Sequence, residues 1–139
     1  MNFESFIEER KLIVGVPDRQ KAKALVKMSV NSLKSANLLE ISKITASSIL
    51  VMAYESLREI LEAICLLKGY KVYSHEFYTF YLKSLDEFIL AEKFDRLRKL
   101  RNCVNYYGKP VSEMVAKNAK QQVHEIILSL KKKYLSELK

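Results

Sequence analysis

Arginine, asparagine and tyrosine crowd one short stretch of the chain: Arg96, Arg98, Lys99 and Arg101, then Asn102-Cys103-Val104-Asn105-Tyr106-Tyr107-Gly108-Lys109. Residues 96 to 109 carry five positive charges and no acid. A guanidinium offers a planar fork of donors that matches two phosphate oxygens. Asparagine and tyrosine add neutral groups that can orient that phosphate or meet a ribose or a base. The chemistry this composition suits is binding of a phosphodiester. A structural role is open to the same residues. Arg101 can pair with Glu55, Glu59 or Glu62, and the tyrosines can cover the end of a helical bundle.

Few other residues bear on chemistry. His75 opens an aromatic stretch, and His124 lies beside an apolar stripe. Two cysteines, Cys65 and Cys103, make neither a disulfide framework nor a zinc site, and Cys65 reads as core filler. There is no Gly-rich phosphate loop, no metal-ligand spacing and no Ser-His-Asp arrangement. No cofactor is expected.

These side chains need helices to hold them. Apolar residues recur at i, i+3, i+4 and i+7 through most of the chain, and the chain has only three glycines and two prolines. Such sparse punctuation argues against a many-stranded fold. Residues 2–11 suit a short first helix. Residues 12–16 are β-like, but a single run cannot make a sheet, so a loop packed on the body is expected. Pro17 is placed to start a helix reaching about 39. A largely buried central helix is expected over about 43–68. It bears one polar stripe of Glu55, Arg58, Glu59 and Glu62, and Gly69 stops it. A short aromatic helix over about 74–83, started by Ser74, precedes a longer one over about 85–105. Gly108 suits a left-handed cap after it. The last helix opens at Pro110 or Val111. Together these predict an all-α, up-and-down bundle of four to five helices in one domain over 1–139, with 1–16 as an N-terminal extension packed on it.

Composition sets outer bounds. The 139 residues are 49% hydrophobic and 29% charged, which is globular composition. The N-terminus lacks the apolar core of a signal peptide, and the longest wholly apolar run, Ile49 to Tyr54, is far too short to span a bilayer. A cytoplasmic protein with no membrane association is therefore expected. The net charge of +8 permits an anionic partner such as RNA.

Arg101-Asn102 at the end of a long helix, ahead of the last helix, resembles the signature of the HEPN superfamily (higher eukaryotes and prokaryotes nucleotide-binding domains). The central block from Ala53 to Ala63, followed by Lys68-Gly69-Tyr70-Lys71 and Ser74-His75-Glu76, is similar to small prokaryotic members. By helix order the likeness covers roughly residues 20–135. The resemblance implies an all-α homodimer in which two arginine motifs form one cleft. It implies a metal-independent RNase of the toxin type, paired with a minimal nucleotidyltransferase as antitoxin. In that chemistry a histidine four to six residues beyond the arginine helps activate the ribose 2′-hydroxyl, and the arginine stabilises phosphate charge.

The chain departs from that pattern. No histidine lies between Arg101 and Lys109; four intervening residues put Tyr106 in its slot, and the other allowed spacings give Tyr107 or Gly108. With a pKa near 10, tyrosine is a poor base at neutral pH. A cleft that binds RNA or nucleotide phosphate, with weak or absent cleavage, is therefore expected. Arg101, Asn102, Asn105 and Tyr106 are the candidate catalytic residues of that degenerate motif and its main phosphate contacts, and Arg98, Tyr107, Lys109 and His75 are further binding groups. Family precedent also makes Tyr106 and Tyr107 candidates for modification by the partner transferase. The alternative expectation is a non-catalytic interaction module that pairs with such a transferase.

Overall fold

In the computed structural model, which describes residues 2–138, six helices and two short strands follow one another. They are α1 (Phe3–Glu8), β1 (Leu12–Val14), α2 (Arg19–Leu38), α3 (Ala46–Leu67), β2 (Tyr70–Val72), α4 (Glu76–Ser84), α5 (Phe88–Tyr107) and α6 (Glu113–Tyr134). The fold is helical, as its periodicity predicts. α3 is the axis, with α2 and α6 packed along it and α5 and β2 also resting on it. α4 packs chiefly on α5. α6 therefore returns to α3 rather than stacking only on its sequence neighbour.

α3 is buried on nearly every side because its apolar residues leave only one polar stripe. Tyr54, Leu57, Ile60, Leu61 and Leu66 are among its fully buried side chains, and Cys65 is buried with them. Burial pushes the Cys65 thiol far up, so it stays protonated core filler. α2 approaches α3 closely through two serines. The Ser29 hydroxyl donates to the Ser56 carbonyl at 2.7 Å, and the Ser56 hydroxyl donates to the Ser29 carbonyl at 2.8 Å. Both side chains are buried, and their reciprocal bonds leave neither hydroxyl without a partner.

The polar stripe of α3 is satisfied within the fold. Arg58 is clamped by Glu55 and Glu62, one turn away on either side. Glu59 is buried and accepts a 2.7 Å hydrogen bond from Ser32 of α2. Desolvation holds the Glu59 carboxyl above its ordinary range. None of the three glutamates pairs with Arg101, so the ion-pair alternative for that arginine does not describe this fold.

Three local expectations change. The β-like run does find a partner: β1 and β2 pair antiparallel, with Leu12 opposite Val72 and Val14 opposite Tyr70. The two segments lie more than fifty residues apart in the chain, so their pairing was hidden from local spacing. Gly69 makes this possible. It has φ of +82°, and a Cβ there would lie 2.2 Å from the Gly15 carbonyl oxygen. α2 starts after Asp18 rather than at Pro17, because the Asp18 carboxylate accepts from the Lys21 amide at 3.0 Å and caps the helix. The last helix likewise starts after Ser112, whose hydroxyl accepts from the Val115 amide. The N-terminal segment is part of the core, with Phe6 and Leu12 almost fully buried.

Candidate phosphate-binding cleft

Two elements from different parts of the chain meet at one end of the bundle. The last turns of α5 carry Arg98, Arg101, Asn102 and Tyr106. The junction between β2 and α4 carries Tyr73, Ser74, His75 and Glu76. Together they line a polar cleft of about 270 Å³. α5 stops there because Gly108 takes the left-handed conformation (φ 62°, ψ 26°), and the Lys109 amide that follows donates back to the Cys103 carbonyl at 3.0 Å.

Arg101 is the centre of the cleft. One of its Nη atoms lies 2.6 Å from His75 Nδ1. The other donates to the Tyr106 hydroxyl at 3.3 Å. The guanidinium carbon sits 4.8 Å from the Tyr54 ring centroid and 5.7 Å from that of Tyr106, so the cation also rests on two aromatic faces. Arg101 Nε is buried and has no hydrogen-bond partner. Among the described residues no carboxylate lies within ion-pair distance of this arginine. Burial works against its charge, yet the neighbouring Tyr54 and Tyr106 side chains hold its pKa above the ordinary arginine value. It is a permanent cation surrounded by neutral groups.

His75 has a defined protonation state. An arginine only donates, so Nδ1 must accept, and the imidazole proton lies on Nε2. Tyr54 reaches the same Nδ1 with its hydroxyl at 2.7 Å. Burial, and then the adjacent charge of Arg101, press the imidazole pKa down to about 4. At neutral pH the ring is neutral and its only lone-pair nitrogen is occupied. It holds Arg101 in place and is ill suited to withdraw a proton from a substrate hydroxyl.

Arg98 differs from Arg101. It bonds to Asp95 at 2.8 and 3.1 Å, and Glu76 approaches to 3.9 Å. Lys99 shares Asp95 at 3.0 Å. Of the two arginines that line the cleft, Arg98 is neutralised and Arg101 is not. Asn102 lines the cleft beside them, whereas Asn105, Tyr107 and Lys109 are exposed residues outside its lining. His124 lies on α6 and faces a different hollow.

Sequence spacing does not single out Tyr54, Tyr73, Ser74 or Glu76. Tyr54 looks like any other apolar residue of the central helix, and only its hydroxyl's contact with His75 marks it. Tyr73 is 64% exposed at the mouth of the cleft, where an aromatic face gains nothing from the core. Among the described residues, no group of three or more His, Cys, Asp or Glu side chains could hold a metal ion. No helix among them is long and apolar enough to cross a membrane.

No protein-family model, no curated protein and no solved structure matches this chain.

Proposed function

We propose that the protein is an HEPN-type helical domain that binds RNA or nucleotide phosphate at the Arg101 cleft. The observation that carries this reading is the state of Arg101, a partly buried cation without a carboxylate partner, fixed by neutral side chains at the floor of a polar cleft. Removing a charge from water without a counter-ion is costly, and an anion entering the cleft removes that cost. A phosphate is the best-shaped anion for a guanidinium fork. Asn102 and Tyr106 stand beside it to accept or donate to a second oxygen or a ribose hydroxyl. Tyr73 and Tyr106 offer exposed rings on which a base can stack.

On this reading cleavage is weak or absent. Metal-independent cleavage needs a base for the ribose 2′-hydroxyl. The one imidazole at the cleft has its acceptor nitrogen occupied and a depressed pKa. In the HEPN arrangement two copies would bring two such arginines together across a homodimer. The exposed tyrosines at the end of α5 would stand at that junction.

The test compares wild type with Arg101→Ala on mixed structured RNAs with EDTA present, by fluorescence anisotropy over a salt series and by gel. Loss of one phosphate contact weakens binding on all the RNAs and lowers the salt slope by about 1. Equal affinity and equal slope in the two proteins would sink the reading. Rapid metal-independent cleavage by wild type would retain the cleft but overturn its non-catalytic assignment.

A further inference from the structure

The two helices that flank α3 leave a seam open between them. α2 and α6 each pack on α3 but barely touch one another. Three hollows of about 410, 260 and 430 Å³ follow one another along this seam. The first two share Leu33, Asn37 and His124, and the last two share Lys131, so they form one groove. From Lys117 to Leu135 it runs about 27 Å along α6, the length of five helical turns.

The floor and the rim of the groove differ in chemistry. The floor is mainly apolar: Val30, Leu33, Ile60, Ile127 and Leu128 line the middle hollow, beside the mutually bonded Ser29 and Ser56. Leu128 is 57% exposed. The rim is basic: Lys34 on α2, and Lys117, Lys120, Lys131 and Lys132 on α6. No acid lines any of the three hollows. α2 contains no Asp or Glu from Arg19 to Leu38, and the two acids of α6, Glu113 and Glu125, do not line the groove.

We infer that this groove docks an acidic amphipathic helix of a partner protein. An apolar floor between two helices accepts side chains at i, i+3, i+4 and i+7. A rim of five lysines meets carboxylates on either side of that apolar stripe and steers the partner in. The same rim disfavours a second copy of this chain, whose own charge is +8. It also separates the groove from a nucleic-acid surface, because phosphates gain nothing from a floor of leucine and isoleucine. This inference is independent of the Arg101 cleft, which is built from α5 and the β2–α4 junction.

The probe is a labelled peptide of about 20 residues, long enough to fill the groove, with leucines at helical spacing and glutamates elsewhere. A scrambled peptide of equal composition is the control, and binding is read by fluorescence anisotropy. The amphipathic peptide is expected to bind more tightly than the scrambled one. Leu128→Asp is expected to weaken it about tenfold or more. Lys117→Glu with Lys120→Glu is expected to weaken it and flatten its salt dependence, with Arg101→Ala unchanged. Circular dichroism melts check that the exposed substitutions leave the fold intact. Equal binding of the two peptides, or indifference to Leu128→Asp, overturns the inference. So does single-stranded RNA binding that the double lysine reversal abolishes, which assigns the groove to nucleic acid. A dimer that Leu128→Asp converts to monomer overturns it in favour of a second copy.

Discussion

His75 Nδ1 lies 2.6 Å from an Nη atom of Arg101, although 26 positions separate the two residues in the chain. The contact joins the start of α4 to the last turns of α5. It places an imidazole beside the arginine from a segment other than the one in which the HEPN pattern would carry it. The geometry gives that imidazole a holding task, because the nitrogen that a base would use is the one bonded to the guanidinium.

The pKa of His75 is directly measurable. Imidazole NMR resonances followed from pH 8 to pH 3 should move near pH 4 and stay fixed between pH 8 and 5.5. Adding inorganic phosphate should raise the midpoint, since an anion on Arg101 offsets the charge that disfavours imidazolium. A midpoint near 6.5 that ignores phosphate would contradict the buried, arginine-bonded ring.

The same depression makes stability pH-dependent. The unfolded chain binds a proton at His75 below about pH 6.5, and the folded chain binds it only near 4. Its contribution is fully present above pH 6.5 and is lost as the pH falls through about 4. In urea melts His75→Asn should flatten the profile across this window relative to wild type.

Glu59 acts with the opposite sign. Its folded pKa lies above the unfolded value, so its contribution is present below the unfolded pKa and is lost as pH rises through the folded one. Glu59→Gln keeps an acceptor for Ser32 and removes the buried charge. It should raise the urea midpoint at neutral pH and leave it nearly unchanged in acid.

Removing the Tyr54 hydroxyl tests the floor of the cleft. Tyr54→Phe preserves the buried ring and the cation–π face but deletes the 2.7 Å bond to His75. The expected loss is about 1 kcal/mol, read from chemical denaturation. Arg101→Ala combined with Tyr54→Phe should be non-additive, because both residues contact the same imidazole nitrogen.

Two glycines with positive φ should respond differently to alanine. At Gly108 nothing lies within 4 Å of an added Cβ, so only the backbone conformation is strained, at about 1 kcal/mol. At Gly69 the Cβ would also collide with the Gly15 carbonyl at 2.2 Å. Gly69→Ala must also shift the β1–β2 junction, so its loss should exceed that of Gly108→Ala in thermal melts.

The sequence by itself determined the helical class, the buried course of the central helix, the left-handed stop at Gly108 and the cluster of cations before it. These depend on local spacing and on backbone chemistry, which act over a few residues. It also directed attention to Arg101, because an arginine in a run of five cations without an acid requires a reason. Only the tertiary structure decided what that reason is. Arg58 takes Glu55 and Glu62, and Ser32 takes Glu59, so no glutamate of α3 remains for Arg101. The β1–β2 pairing, the approach of His75 and Tyr54 to Arg101, and the open seam between α2 and α6 likewise join groups far apart in the chain. Such contacts depend on how whole helices pack, and neither residue spacing nor composition carries that information.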